Sequence, residues 1–248
     1  MQSVVVIPAR YRSSRFPGKP LVELAGKPMI LWVAELSARA VGAEKVYVAT
    51  EDQRIYDLVT EAGFQAVMTS DQAPTGTDRL AEAAALIPAD FYINVQGDEP
   101  LVNPADIRRI IEVKERHPEL IINGCCPLAP HEDPENVNIP KVISNESNLM
   151  VYMSRRALPG FKEPTNRPTR YLKQVCIYAF SGEELRGYKE FGRKSELEKC
   201  EDIEILRFLE LDKKIMMVET SGGTLAVDVP EDMEPVARAL KKLHGMSA

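Results

Sequence analysis

The stretch VVVIPARYRSSRFPGKP, residues 4–20, decides the fold class of this chain. It opens with a short, β-branched and apolar run at 4–8, which is typical of a strand covered by helices on both faces. A polar loop containing Gly and Pro follows directly, over 9–27. In open α/β sheets, ligands bind beyond the carboxyl ends of the strands. The loop is therefore predicted to lie at a binding crevice.

The same loop concentrates positive charge, because the ten residues 10–19 include Arg10, Arg12, Arg15 and Lys19. Guanidinium groups bind phosphate oxygens in bidentate fashion, and a lysine supplies a compact point charge. The loop matches neither GxxxxGK[ST] nor GxGxxG. A solvated surface loop is the alternative, but the position directly after the first buried strand favours phosphate binding.

Strands and helices alternate regularly through the first half of the chain. The predicted strands there are 4–8, 45–50, 66–68 and 91–96, and the predicted helices are 29–41, 54–62, 77–87 and 104–116. This alternation predicts a parallel sheet with helices on both faces and right-handed crossovers. The second half is less regular. Its predicted elements are strands at 121–128, 140–143, 173–180 and 214–219, a short helix or strand at 150–154, a polar excursion at 160–170, and helices at 195–211 and 230–244.

An acidic pair follows the predicted strand at 91–96. The segment NVQGDEP, residues 94–100, places Asp98 at the carboxyl end of that strand, beside the expected phosphates. Mg²⁺ prefers one or two carboxylates plus phosphate oxygens and water, so Asp98 is a candidate ligand. Ordinary turn chemistry is the alternative. A second candidate is Asp228 in AVDVPED, residues 226–232, with capping of the last helix as its alternative.

Composition argues against several classes of protein. The 248 residues carry 31 basic and 37 acidic side chains, a net charge of −6, and show no Lys/Arg-rich run, so a nucleic-acid partner is not expected. The four cysteines lack CxxC spacing. No run reaches the roughly 18 apolar residues of a membrane span, and the first residues lack the basic start of a signal peptide. A cytoplasmic protein without a membrane partner is expected.

Four segments together resemble one family. They are IPARYRSSRFPGKPL (7–21), TGTDRL (75–80), NVQGDEP (94–100) and VDVPEDM (227–233). Their order and spacing are similar to those of the CMP-KDO synthetases (3-deoxy-manno-octulosonate cytidylyltransferases), which belong with the CMP-sialic acid synthetases. The resemblance implies a single three-layer α/β domain over 1–248 with a mostly parallel, Rossmann-like nucleotide-binding sheet. It also implies a homodimer formed through a smaller excursion at about 130–180.

The resemblance also implies a reaction. The anomeric hydroxyl of KDO, an acidic 2-keto-3-deoxy sugar, would attack the α-phosphate of CTP, giving CMP-KDO and pyrophosphate for lipopolysaccharide or capsule biosynthesis. Lys19, Arg15 and Asp98 are the implied catalytic residues, and Asp98 with Asp228 would hold Mg²⁺. The implied nucleotide-binding residues are Ala9, Arg10, Ser14, Arg15, Lys19, Thr77 and Asp78. The implied substrate-binding residues are Arg79, Gln96, Gln174, Tyr178, Glu201 and Glu204.

The sugar half of the chain departs from the family pattern. Gln174 stands where the family commonly has His, Cys176 where Gly is usual, and Ile205 where Gln is usual. A site built to hydrogen-bond a hydroxyl discriminates strongly against analogues that lack it. The acceptor is therefore KDO if Gln174 makes an equivalent hydrogen bond, and otherwise a related acidic sugar such as 8-amino-KDO or a nonulosonate.

Two other functions compete with this interpretation. A sugar-1-phosphate nucleotidyltransferase that uses UTP or another base would share the sheet and the basic loop, but it would typically begin with a more Gly-rich phosphate loop. A non-catalytic nucleotide-binding protein would have no need of two metal-binding carboxylates. Lys19, Asp98 and Asp228 therefore favour an enzyme.

Overall fold

The computed structural model describes residues 1–13, 16–223 and 225–245. The strands are β1 (Ser3–Ala9), β2 (Glu23–Leu24), β3 (Lys27–Pro28), β4 (Val46–Thr50), β5 (Gln65–Met68), β6 (Phe91–Val95), β7 (Ile121–Pro127), β8 (Lys141–Ser144), β9 (Met150–Ser154), β10 (Leu172–Ser181) and β11 (Ile215–Glu219). The α-helices are α1 (Met29–Val41), α2 (Gln53–Glu61), α3 (Gly76–Ala84), α4 (Pro104–Arg116), α5 (Gly182–Glu190), α6 (Glu196–Glu201), α7 (Leu206–Glu210) and α8 (Met233–His244).

The central sheet has the strand order β11-β7-β10-β6-β1-β4-β5. Neighbouring strands in this order are parallel, except that β10 runs antiparallel to both β6 and β7. The chain passes outwards from β1 through β4 to β5 and then returns to β6 on the other side of β1. The strand order therefore reverses between β1 and β6, and a ligand crevice is expected at such a switch point. The predicted mostly parallel α/β sheet is confirmed.

Helices cover both faces of this sheet, as the sequence predicts. One face packs against α1, α2 and α4, where Ile30 and Ile107 are fully buried, and the other packs against α3, α5 and α7, where Leu80 and Phe208 are buried. Fully burying one such side chain contributes about 1.5–3 kcal/mol. No helix in the described part of the chain has the length and apolar character that a membrane crossing needs.

A third apolar cluster fixes the last helix beside the sheet. Val227 and Leu240, from the segment around α8, pack with Leu24 and Trp32, and the indole N–H of Trp32 donates to the Leu24 carbonyl at 2.8 Å. This packing anchors the chain immediately before Asp228. The second predicted metal ligand is thereby held in place by hydrophobic burial of its neighbour.

The predicted single helix over 195–211 is wrong. Two short helices, α6 and α7, occupy this region, and Asp202 between them has a left-handed backbone with φ of 50°. Side chains distant in sequence hold this break. Arg155, directly after β9, donates to the carbonyls of Glu201 and Asp202, and Glu201 in turn accepts the Arg155 amide at 2.9 Å. Tertiary contacts thus override a continuous helical pattern.

Two other sequence predictions are refined. The region 150–154, which the sequence leaves as a short helix or strand, is the strand β9. The sequence-based prediction assigns no element to 182–190. Helix α5 forms there nonetheless. It begins with a capping box in which Ser181 and Glu184 satisfy each other's backbone amides.

A buried ionic network joins α3 to the helices of the second half. The guanidinium of Arg207 lies 2.9 Å from Asp78 and 2.7 Å from Glu198, and it stacks 3.7 Å from the ring centroid of Tyr188. All four side chains are buried. Buried charges are tolerated only when paired and hydrogen-bonded, so these contacts fix the position of α3 relative to α6 and α7.

Candidate functional site

A cavity of about 260 Å³ opens at the carboxyl ends of β1 and β6. The predicted site residues that line it are Ala9, Arg10, Lys19, Arg79, Gln96, Asp98 and Glu204. A wider groove of about 710 Å³ lies between α4 and β11, but no predicted site residue lines it. The smaller cavity is therefore the candidate site. It lies at the switch point of the sheet, where the basic loop and the acidic turn meet.

The basic loop is closed at its stem. The Gly18 amide donates to the Tyr11 carbonyl at 2.9 Å, and Gly18 has a left-handed backbone with φ of 72°. A Cβ at this position would lie 3.2 Å from the Tyr11 ring, so both conformation and space favour glycine. Ser14 and Arg15, which the sequence places on the nucleotide, lie outside the described residues, and their roles stay predictions.

Gly97 allows the ends of β1 and β6 to approach closely. A Cβ at this residue would lie 2.8 Å from the carbonyl oxygen of Pro8, a distance that real Cβ atoms essentially never show. The position therefore requires glycine for reasons of space. The turn that carries Gln96 and Asp98 can then lie directly against the start of the basic loop.

Lys19 connects the three segments that meet at this edge. Its ammonium donates to the Asp98 carboxylate at 2.8 Å and to the Val227 carbonyl at 2.7 Å. The Val227 amide donates to the Asp98 carbonyl at 3.0 Å, so the acidic turn and the segment before Asp228 are also joined directly. The contacts bring together the basic loop and both predicted metal-binding segments.

Asp98 and Asp228 lie in adjoining segments, as a shared metal site requires. Asp232 accepts the amides of Asp228 and Val229 at 2.8 and 2.9 Å, so Asp232 is the acid that closes this turn. Among the described residues, no group of three or more His, Cys, Asp and Glu side chains could hold a metal by itself. Two carboxylates fit a Mg²⁺ ion that takes its other ligands from phosphate and water. The Mg²⁺ assignment stays a prediction.

Glu204 covers the N-terminus of α3 inside the cavity. Its carboxylate accepts the amides of Gly76 at 3.1 Å and Thr77 at 2.7 Å, together with the Thr77 hydroxyl. Burial raises the pKa of Glu204 above its ordinary value, and these hydrogen bonds oppose the shift. A carboxylate at a helix N-terminus is favoured by the unpaired amides and by the helix dipole.

Two predicted nucleotide-binding residues on α3 lie outside the cavity lining. Thr77 bonds to Glu204, and the Asp78 carboxylate is held by Arg207 and by the Thr75 hydroxyl at 2.7 Å. The Thr75 side chain also caps α3. In this structure these two residues position the N-terminus of α3, and their predicted contacts with the nucleotide stay predictions.

Three predicted substrate-binding residues also lie outside the lining. The Gln174 amide donates to the Asn123 side chain at 3.3 Å. Tyr178 is buried, and burial raises its pKa, with the charges of Cys176 and Glu204 adding to the shift. Glu201 accepts from Ser154 at 2.7 Å and supports the break between α6 and α7. Their roles in substrate binding stay predictions.

Several residues near the cavity are not predicted from the sequence. Lys194 and Asp202 line it and form an ion pair at 2.9 Å across its rim. Lys194 lies in the loop before α6, and Asp202 lies at the break between α6 and α7, inside the region predicted as one helix, so no sequence pattern indicates either residue. Glu51 follows β4 and pairs with Arg79 at 3.1 Å. An acid directly after a predicted strand was the available signal for Glu51, since β4 ends at the same edge of the sheet.

Comparison with known proteins identifies relatives along nearly the whole chain. The family model described as Cytidylyltransferase matches residues 4–215. The 3-deoxy-manno-octulosonate cytidylyltransferase of Trichlorobacter lovleyi is 40% identical, over 98% of this chain and 100% of that protein. The 8-amino-3,8-dideoxy-manno-octulosonate cytidylyltransferase of Shewanella frigidimarina is 39% identical, over 94% and 96%. A structure of CMP:2-keto-3-deoxy-manno-octonic acid synthetase complexed with CTP has a TM-score of 0.90 at 36% identity, covering 98% of this chain and 100% of that chain.

Replacing Glu204 by glutamine should change how stability depends on pH. The raised pKa of Glu204 means that the folded protein binds this proton more tightly than the unfolded chain does. The contribution of this group to stability is therefore greatest at low pH, and it falls as pH rises from the ordinary value of 4.5 through the raised pKa. The glutamine of Glu204→Gln does not titrate, so the stability of this variant should lack the decline that comes from Glu204. Urea unfolding of both proteins from about pH 4 to about pH 8 measures the free energy of unfolding at each pH. The same dependence of this free energy on pH in both proteins would contradict the prediction.

Proposed function

The chain belongs to the cytidylyltransferase family, and we propose that its cavity at the carboxyl ends of β1 and β6 binds CTP with Mg²⁺ for transfer to a sugar acid. The enzyme joins CTP to 3-deoxy-manno-octulosonate (KDO), giving CMP-KDO and pyrophosphate. The observation that carries the assignment to this cavity is the contact between Lys19 and Asp98. It brings the cation of the basic loop and the carboxylate of the acidic turn to one point.

The reaction is a displacement at phosphorus. A bond forms between the anomeric oxygen of KDO and the α-phosphorus of CTP, and the bond from that phosphorus to the oxygen bridging to the β-phosphate breaks. Pyrophosphate leaves, and the hydroxyl proton is released to water. No histidine lines the described part of the cavity. Catalysis then depends on positioning the reactants and on stabilising the negative charge of the phosphate oxygens.

Lys19 is the residue best placed to stabilise that charge. An ammonium has three N–H donors, and here two of them go to Asp98 and to the Val227 carbonyl. The third can donate to a phosphate oxygen. Because the other two contacts already orient the ammonium, little reorganisation is needed when negative charge develops. Arg10, at the rim of the same cavity, adds a second cation.

Asp98 and Asp228 would hold the Mg²⁺ ion, which supplies Lewis-acid stabilisation of the phosphate oxygens. The carboxylate of Asp98 also attracts the Lys19 ammonium, so one acidic side chain orients the principal cation of the site. The backbone bond between Val227 and Asp98 supports this role, because it holds the two carboxylate-bearing segments together before any ligand arrives.

Gln96 and Glu204 line the acceptor side of the cavity, and Arg79 lines a wall that faces both reactants. Ile205 is buried in the core, so it contributes packing, and hydroxyl recognition falls to the neighbouring polar side chains. KDO is the acceptor. The 8-amino sugar remains the alternative, because the Shewanella relative named for that sugar is nearly as similar to this chain as the Trichlorobacter relative named for KDO.

The predicted excursion at about 130–180 supports a proposal on assembly. Val137, Val151 and Phe161 are exposed there, and Val151 lies on β9 at the edge of the sheet extension. We propose that these apolar side chains meet a second copy of the chain in a homodimer.

We also propose that the reaction takes place in the cytoplasm, where CTP is available, and that its product is used in lipopolysaccharide or capsule biosynthesis. A strain that lacks the gene for this protein but still makes KDO-containing glycan would overturn the proposed role in lipopolysaccharide or capsule biosynthesis.

Pyrophosphate release should depend on both CTP and a sugar acid. With Mg²⁺ present, release is expected with CTP and KDO, and not with UTP or without an acceptor. Parallel reactions with 8-amino-KDO and sialic acid measure acceptor preference through kcat/KM. Pyrophosphate release only with another sugar acid would support the proposed cytidylyl transfer but would replace KDO as the acceptor. No release with any acceptor, in folded protein that binds CTP, would favour a binding protein.

Replacing Asp98 by asparagine should abolish turnover without unfolding the protein. The variant keeps the size of the side chain but loses the charge that orients Lys19 and would bind Mg²⁺, and a loss of at least about 100-fold in kcat is expected. Pyrophosphate release over a range of Mg²⁺ concentrations measures it, with circular dichroism as the folding control. Normal activity in this variant would remove Asp98 from the metal site.

The homodimer should dissociate when its proposed apolar contact becomes charged. Sedimentation velocity is expected to give the mass of two chains for the wild type, and a shift to one chain for Val151→Asp, because burying an unpaired carboxylate at an interface is costly. Leu86→Asp, at an exposed apolar residue just after α3, is the matched control and should leave the mass unchanged. A wild-type protein that sediments as one chain at all concentrations would contradict the dimer.

A further inference from the structure

Glu51, the residue after β4, bridges two walls of the nucleotide end of the cavity. One carboxylate oxygen accepts the backbone amides of Tyr11 at 2.9 Å and Arg12 at 3.4 Å. The other lies 3.1 Å from the guanidinium of Arg79 on α3. The Glu51 side chain is only 8% exposed, and it does not line the cavity itself. Its position suits holding other groups rather than touching a ligand.

Arg79 depends on this carboxylate. Its side chain is 4% exposed, and its hydrogen bonds go to the Thr69 hydroxyl and to the Ser70 carbonyl at 3.3 Å, so its contact with Glu51 is an ion pair. Burial lowers the pKa of Arg79, and Glu51 is the largest opposing influence. A buried guanidinium without a counter-charge is strongly unfavourable. Glu51 is therefore what allows a charged Arg79 to stand in the cavity wall.

The basic loop depends on the same carboxylate. Tyr11 and Arg12 directly follow Arg10, which lines the cavity, and the Tyr11 carbonyl closes the loop by accepting the Gly18 amide. The Arg54 guanidinium stacks 3.5 Å from the centroid of the Tyr11 ring on the outer side. The two amides held by Glu51 therefore set where the stem of the loop lies relative to β4 and α3.

We propose that Glu51 is a positioning residue for CTP, which holds the basic loop and Arg79 at a fixed separation on the two sides of the nucleotide. This inference rests on the proposed function of the cavity. Glu51 acts through the groups that it holds, since the loop carries Arg10 and Lys19 and the opposite wall carries Arg79. Its loss should weaken nucleotide binding more than it slows the chemical step, because Lys19 and Asp98 keep their own contact.

The chain contains a matched control for this test. Lys114 on α4 and Glu184 on α5 form a second buried ion pair at 2.9 Å, with side-chain exposures of 0% and 9%. Glu184 also accepts a backbone amide, that of Ser181, as Glu51 accepts those of the loop. Neither residue lines the cavity. Disrupting this pair should destabilise the fold without touching the nucleotide end.

The test compares Glu51→Ala, Glu51→Asp, Glu51→Gln and Glu184→Gln by steady-state kinetics in the intact enzyme. Glu51→Ala is expected to raise the KM for CTP at least about tenfold, equivalent to about 1.4 kcal/mol, while kcat changes less than about threefold. Glu51→Asp keeps the charge and should recover part of the affinity. Glu51→Gln keeps an acceptor for the loop amides, so its KM for CTP should lie between those of the wild type and Glu51→Ala. Glu184→Gln should lower the melting temperature without raising KM.

Amide hydrogen exchange supplies a readout that does not need turnover. In the protein without nucleotide, Glu51→Ala should speed exchange at Tyr11 and Arg12, because their amides lose their acceptor. An unchanged KM in Glu51→Ala would overturn the proposal, as would an equal rise of KM in Glu184→Gln. Faster exchange with an unchanged KM would also overturn it. Failure of the wild type to use CTP would instead reject the proposed function, and the exchange result would still show whether Glu51 holds the loop.

Discussion

β1 and β6 lie side by side, with Val4 opposite Tyr92 and Val6 opposite Asn94, although three helices and other strands separate them along the chain. Because the two strands are parallel, their carboxyl ends reach the same edge of the sheet, and the loop that follows each strand emerges there. The contact between Lys19 and Asp98 and the close approach at Gly97 both depend on this pairing. The chemistry of the site follows from the hydrogen bonding of one pair of strands.

Charge balance is the second constraint on the cavity. Lys19 is held by Asp98 and Arg79 by Glu51, so each of these cations has a carboxylate partner before any nucleotide arrives. A cluster of unpaired cations would repel itself and destabilise the fold, particularly where side chains are buried. The carboxylates also orient the cations. The same pairs that permit the basic site to form therefore position it for the triphosphate that we propose it binds.

The second half of the chain shapes the acceptor side from the opposite direction. Glu204 reaches the N-terminus of α3, and the buried pairing of Arg207 with Asp78 fixes that helix against α7. The break at Asp202 brings both Asp202 and Glu204 to the cavity. Arg155, at the end of the hairpin of β8 and β9, holds that break. The side of the cavity where we propose that the acceptor binds is thus built from contacts between segments distant in sequence.

The sequence by itself determined the alternation of strands and helices in the first half, the bounds of α1 and α4, and the position of the basic loop and of Asp98 at strand ends. These features depend on hydrophobic periodicity and on residues adjacent in the chain, so they can be predicted from the local sequence. Only the tertiary structure decided that the helix predicted over 195–211 breaks at Asp202, that Asp78 pairs with Arg207, and that Glu51 pairs with Arg79. Each of these depends on a partner far away in sequence. A buried ion pair, or a break in a helix, is stabilised by that distant partner, so it cannot be predicted from the local sequence pattern.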